Sequence, residues 1–179
     1  MPSGPKKKTL SRSERDAIRY GFGGNSHCGQ HVSDIIDGVG DMRVADVLIT
    51  SAQMLALAAT PITIVAAPGA GKYLEFMGAV CFLDYNSAAY AADAGEDFQL
   101  RYTDGSGALV SDPIDGELLE ATADTLFVLK PIALTVAVTA NTPIVADNVG
   151  AGELASGDSP FKVRCFYRIH DSAELVLIS

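Results

Sequence analysis

Apolar residues in this chain fall into short runs, many with a period of two, separated by clusters of Gly, Pro, Asp and Asn. That spacing predicts short strands and tight turns rather than long helices. The most apolar part, residues 61–85, holds two runs, 62–66 and 72–85, on either side of Pro68, Gly69 and Gly71. The first run is β-branched, and the second is rich in Val, Phe, Leu and Tyr and poor in helix caps. Pro68 presets φ and the two glycines accept positive φ, so a buried β-hairpin with its turn at 68–71 is expected.

The rest of the chain reads in the same terms. Residues 44–49 form a strand. Thr50 and Gln53 have capping-box spacing ahead of Met54, Leu55 and Leu57, which predicts a short helix ended by Thr60 and Pro61 and capping one end of a sheet. Residues 86–95 are a small-residue loop. The run 97–103 points Phe98, Leu100 and Tyr102 inward and Gln99 and Arg101 outward. Asp104-Gly-Ser-Gly is a hairpin turn, 108–111 returns from it, and 115–123 contains a helical turn. Strands are expected at 125–129, 132–139, 144–146, 161–170 and 174–178, with a long loop at 147–160.

About nine short strands, without alternating long helices, define an all-β fold class: an antiparallel β-sandwich of jelly-roll form. This domain spans 44–179. Residues 1–43 precede it as a basic N-terminal arm and Gly-rich connector. In the arm, Ser11 and Glu14 open a short helix that Gly21 ends. Within the connector, 32–36 is a candidate docking strand.

Charge divides the chain along the same boundary. The protein carries a formal charge of −9, yet residues 1–20 hold six basic side chains, Lys6, Lys7, Lys8, Arg12, Arg15 and Arg19, against Glu14 and Asp16. The first 20 residues are therefore net +4 and the remaining 159 net −13. Such an arm suits an acidic partner surface, protein or nucleic acid, and the plainer alternative is a solvated tail. The acidic body repels nucleic acid and lacks aromatics interleaved with basic residues, so no nucleic-acid partner is expected. With no unbroken apolar window of about 18 residues and no apolar stretch near the start, neither a membrane span nor a secretory signal is expected. Three widely spaced cysteines, Cys28, Cys81 and Cys165, argue for a reducing compartment.

Candidate chemistry is sparse. Ala66-Ala-Pro-Gly-Ala-Gly-Lys72 looks like a phosphate-cradling loop, but Ala66 stands where the first Gly is needed and Tyr73 where Ser or Thr would hold magnesium. A strand is also predicted after Lys72, where phosphate binding needs a helix N-terminus. His27, Cys28 and His31 offer no fourth metal ligand at a familiar spacing. His170 beside Asp171 suits a turn or surface contact, and there is no Gly-x-Ser-x-Gly elbow. The loop carboxylates Asp93, Glu96, Asp97, Asp104, Asp112, Asp115 and Glu117 read as a solvated rim without the ordered spacing of a helical calcium loop. The expectation is no enzyme, no metal, no cofactor and no small-molecule substrate.

Residues 46–111 resemble a pattern found in small virion proteins encoded among the head genes of tailed bacteriophages. The matching stretches are Leu48-Ile-Thr-Ser-Ala-Gln, Ala59-Thr-Pro-Ile-Thr-Ile-Val-Ala-Ala-Pro-Gly-Ala-Gly-Lys, Phe82-Leu-Asp-Tyr and Arg101-Tyr-Thr-Asp-Gly-Ser-Gly. Such proteins look like capsid decoration, cement or spike components. The resemblance implies a β-rich oligomer, often a trimer, assembled in the host cytoplasm and seated on the major capsid protein at the capsid exterior. The arm lies outside the matching stretch, so Lys6, Lys7, Lys8, Arg12, Arg15 and Arg19 are candidate capsid-binding residues on charge alone. The alternative is a tail- or head-fibre module that recognises a host-surface carbohydrate, with Tyr85, Tyr90 and Tyr102 supplying the rings that stack on sugars.

Overall fold

The computed structural model describes residues 42–92, 95–132, 139–149 and 152–171, all within the unit Met42–Ser179. The arm and the predicted strand at 174–178 lie outside them, as does most of the predicted strand at 132–139. The described strands are β1 (Arg43–Ile49), β2 (Ile62–Val65), β3 (Lys72–Leu83), β4 (Asp97–Tyr102), β5 (Thr125–Leu129), β6 (Ile144–Val149) and β7 (Phe161–Asp171). Two single-turn helices, α1 (Ser51–Met54) and α2 (Gly116–Leu119), complete the set.

The strands form two antiparallel sheets, one ordered β1-β7-β3-β5 and the other β2-β6-β4. After the turn at 104–107 the chain runs back beside β4 through the bridges Arg101↔Leu109 and Phe98↔Ile114, adding a fourth position to the second sheet and an eighth to the described sandwich. Counting that segment, the sheets hold positions 1-8-3-6 and 2-7-4-5, which is the jelly-roll arrangement of two interlocked Greek keys.

The inner faces supply the core. Ile49, Leu74, Phe76, Ala79, Cys81, Leu83, Phe127, Leu129, Phe161, Val163 and Cys165 face inward from the first sheet, and Ile64, Phe98, Leu100, Tyr102, Ile144 and Ala146 from the second. Tyr102 Oη donates to the Leu74 carbonyl across the sandwich at 2.6 Å, satisfying a hydroxyl whose burial pushes its pKa up to about 12. A register shift between Phe76 and Gly78 keeps Leu74 and Phe76 on the same inner face as Ala79, Cys81 and Leu83. Gly78 takes φ +146° there, a backbone conformation that side chains rarely tolerate.

Two expectations need correction. Residues 62–65 and 72–83 are both strands, with Gly69 and Gly71 at positive φ between them, but they do not form a hairpin. β2 pairs with β6 and β3 pairs with β7 and β5, so the connection carries the chain from one sheet to the other. It is fixed by Asn141, whose Oδ1 accepts from Gly69 N at 2.9 Å and whose N–H donates to the Lys72 carbonyl at 2.8 Å. Second, Gln99 and Arg101 do alternate with the inward Phe98, Leu100 and Tyr102, but their face is not open to solvent: Gln99 is buried and Arg101 is largely covered with Asp147.

The capping box at α1 forms as predicted, with Thr50 Oγ1 accepting from Gln53 N and Gln53 Oε1 accepting from Thr50 N. Met54 and Leu57 then enter the core. Glu153 holds the following turn by accepting from Ala58 N and Ala59 N at 2.9 and 2.6 Å.

Candidate functional site

The outer face of the first sheet is the surface that departs most from a solvated strand pattern. Cross-strand register fixes its rows. Leu48, Lys162, Phe82 and Leu126 stand in one row, Asp46, Arg164, Val80 and Val128 in the next, and Val44, Phe166 and Gly78 in a third. Leu48, Leu126 and Val128 are more than 60% exposed and Val44 is 50% exposed. Val80, Phe82, Leu126, Lys162 and Arg164 line a shallow groove at the centre of this face.

Apolar flanks thus surround a column of cations on β7. Arg164 is held by a bidentate pair to Asp46, with Nε–Oδ1 2.7 Å and Nη2–Oδ2 2.9 Å, and this hydrogen bonding keeps the Asp46 carboxyl below its usual range. Lys162 has no carboxylate within 4.0 Å among the described residues. Beyond the bulge the face turns polar, where Glu75 lies 2.8 Å from His170 Nε2 and 3.7 Å from Arg168 Nη1.

The loops at one end of the sandwich are tied internally. The Asp158 carboxylate accepts from the amides of Ser87 and Ala88, the Ser87 hydroxyl and Asn86 Nδ2, at 2.6–3.1 Å. The Ser87 hydroxyl is the largest of the causes that depress its pKa. Tyr90 is buried and its hydroxyl donates to the Ser159 carbonyl.

The remaining candidates are distributed as follows. Lys6, Lys7, Lys8, Arg12, Arg15 and Arg19 lie outside the described residues, as do His27, Cys28, His31 and Asp93. His170 meets Glu75. Among the carboxylates, Glu96 is buried, Asp97 Oδ1 accepts from Gly116 N at 3.2 Å, and Asp104 closes its own turn through the Ser106 amide and hydroxyl. Among the described residues, no three His, Cys, Asp or Glu side chains are grouped to hold a metal. Cys81 and Cys165 are buried in the core and pack there as small hydrophobes, and that burial pushes both thiols up to about 12. Of the three candidate sugar-stacking rings, Tyr90 and Tyr102 are buried and Tyr85 is partly exposed. No helix among the described residues is long and apolar enough to cross a membrane.

Sequence reasoning missed the apolar outer face. The signal was present in β5, Thr-Leu-Phe-Val-Leu, and in the middle of β3, where apolar residues occupy both parities of the strand instead of one.

No family model matches the chain, and no curated protein matches it. A solved structure, the cyanophage Pam1 capsid asymmetric unit, contains a chain similar to this one at 15% identity and a TM-score of 0.39. The match covers 71% of this chain and 82% of that one. So distant a likeness says nothing of what this chain does.

Proposed function

We propose that this protein is a bacteriophage virion structural protein, a decoration or cement protein that binds the outer capsid surface and stabilises the head. The observation that carries the reading is the division of charge, net +4 over residues 1–20 against −13 over the rest. A cationic arm on an acidic body attaches to an acidic surface through the arm. The resemblance of residues 46–111 to head-gene virion proteins supports the same reading, with the major capsid protein as partner and a homotrimer as the assembled form. The reading includes no enzymatic activity, cofactor, nucleic acid or membrane.

In this account Lys6, Lys7, Lys8, Arg12, Arg15 and Arg19 make the capsid contacts. Replacing all six with Ser should reduce capsid occupancy at moderate salt. Unchanged occupancy would remove the arm from the account. The carbohydrate-binding alternative is weaker, because two of its three candidate rings are in the interior.

A further inference from the structure

The outer face of the β1-β7-β3-β5 sheet presents Val44, Leu48, Leu126 and Val128, all exposed, around Lys162 and Arg164. Isolated exposed apolar residues are ordinary, but a contiguous group on one sheet face marks a contact surface.

Charge limits what covers it. The strands place three cations, Lys162, Arg164 and Arg168, on this face against two anions, Asp46 and Glu75, whereas residues 21–179 as a whole carry −13. Arg164 and Arg168 lie 2.7 and 3.7 Å from Asp46 and Glu75, and Lys162 has no carboxylate within 4.0 Å among the described residues. The complementary occupant is apolar against Val80, Phe82 and Leu126 and brings a carboxylate to Lys162. A two-fold pairing of two copies centred here would instead set Lys162 and Arg164 against their own counterparts.

Size is the second limit. At about 4.8 Å between strands and 3.3 Å per residue, the three rows span roughly 20 Å in each direction. That is on the order of 400 Å², about half of what one partner contributes to a stable interface. A partner held here therefore needs a second contact on the same chain, and two weak contacts joined in one chain reinforce each other. The arm has the required sign, with six cations that suit the same acidic partner.

We infer that this sheet face is a second capsid-binding surface, seated on an acidic and apolar patch of the major capsid protein that covers Leu48, Leu126 and Val128 and pairs a carboxylate with Lys162. The inference rests on the proposed attachment to the capsid and adds a surface on the body to the contacts of the arm. The arm supplies the long-range, salt-sensitive attraction, and the face fixes position.

Co-sedimentation of full-length chains with phage heads that lack the protein tests it, with thermal midpoint and solution mass measured for each variant. Leu126→Asp with Val128→Asp should raise the half-saturating concentration at low salt about tenfold or more, because the apolar patch would then cover two unpaired carboxylates. Lys162→Glu should do the same by setting like charges together. Both variants should keep the wild-type midpoint and mass, since all three side chains are exposed. Hydroxyl-radical footprinting of the unaltered chain reads the face without substitution, and Leu48, Phe82 and Leu126 should lose oxidation on heads. Variants that bind as wild type, or no loss of oxidation at these residues, would overturn the face and leave the arm standing. A variant whose mass falls would overturn it by making the face a contact between copies. Wild type that fails to bind heads at every salt concentration would overturn the capsid reading and the face with it.

Discussion

Phe98 on β4 and Phe161 on β7 meet edge to face across the sandwich, with ring centroids 4.9 Å apart. Phe127 on the edge strand β5 approaches the same Phe161 ring at 6.0 Å, so one fully buried side chain of β7 meets β5 in its own sheet and β4 in the opposite sheet. Phe161→Ala should lower the free energy of unfolding by about 3–5 kcal/mol, the usual cost of truncating a buried aromatic. The measurement is a urea titration, with a lower midpoint and an unchanged slope expected. Wild-type stability would mean that the sheets do not pack through this ring.

Asp158 and Asp147 should give opposite pH signatures. The Asp158 pKa is depressed by hydrogen bonds, so its contribution to stability is present above the ordinary carboxylate range and is lost as pH falls through its folded value. The stability advantage of wild type over Asp158→Asn should therefore shrink on acidification below about pH 4. Matched thermal melts of the two proteins across pH measure it.

Asp147 behaves in the reverse sense. Burial raises its pKa, with the Arg101 guanidinium acting against the shift at 3.4 Å. The folded state then binds this proton more tightly than the unfolded state, and stability from that protonation is present at low pH and is lost as pH rises through the folded value. Relative to Asp147→Asn, wild type should gain stability as pH is lowered through that value. A constant difference between the two would contradict the burial assigned to Asp147.

Gly157 sits at φ +131°, and a Cβ there would run into the Tyr90 ring, which cannot swing away because its hydroxyl is bonded to Ser159. Gly157→Ala should cost about 1–3 kcal/mol through backbone strain and displacement of that ring. A urea midpoint together with protease sensitivity of the 84–92 loop checks it.

Much of this fold was legible locally. The Thr50 and Gln53 box, the glycines of the 68–71 turn, the Asp104 turn and the inward parity of Phe98, Leu100 and Tyr102 each depend on neighbours a few residues away. The false hairpin shows the limit. Two apolar strands joined by a Pro-Gly turn read alike whether they pair or diverge to separate sheets, and β2 finds its partner about 80 residues downstream in β6. The outward parity of Gln99 and Arg101 was legible as well, but the cover over them was not, because Asp147, which lies against Arg101, is remote in sequence. Leu126 and Val128 became conspicuous only when register placed them in rows with Phe82 and Val80.

The most direct test of the account is co-sedimentation of the purified full chain with phage heads that lack it, across a salt series and with the solution mass measured in parallel. The account predicts a trimer that sediments with heads at low salt and is released as salt screens the contacts of the arm. A monomer that fails to sediment with heads at every salt concentration would contradict it.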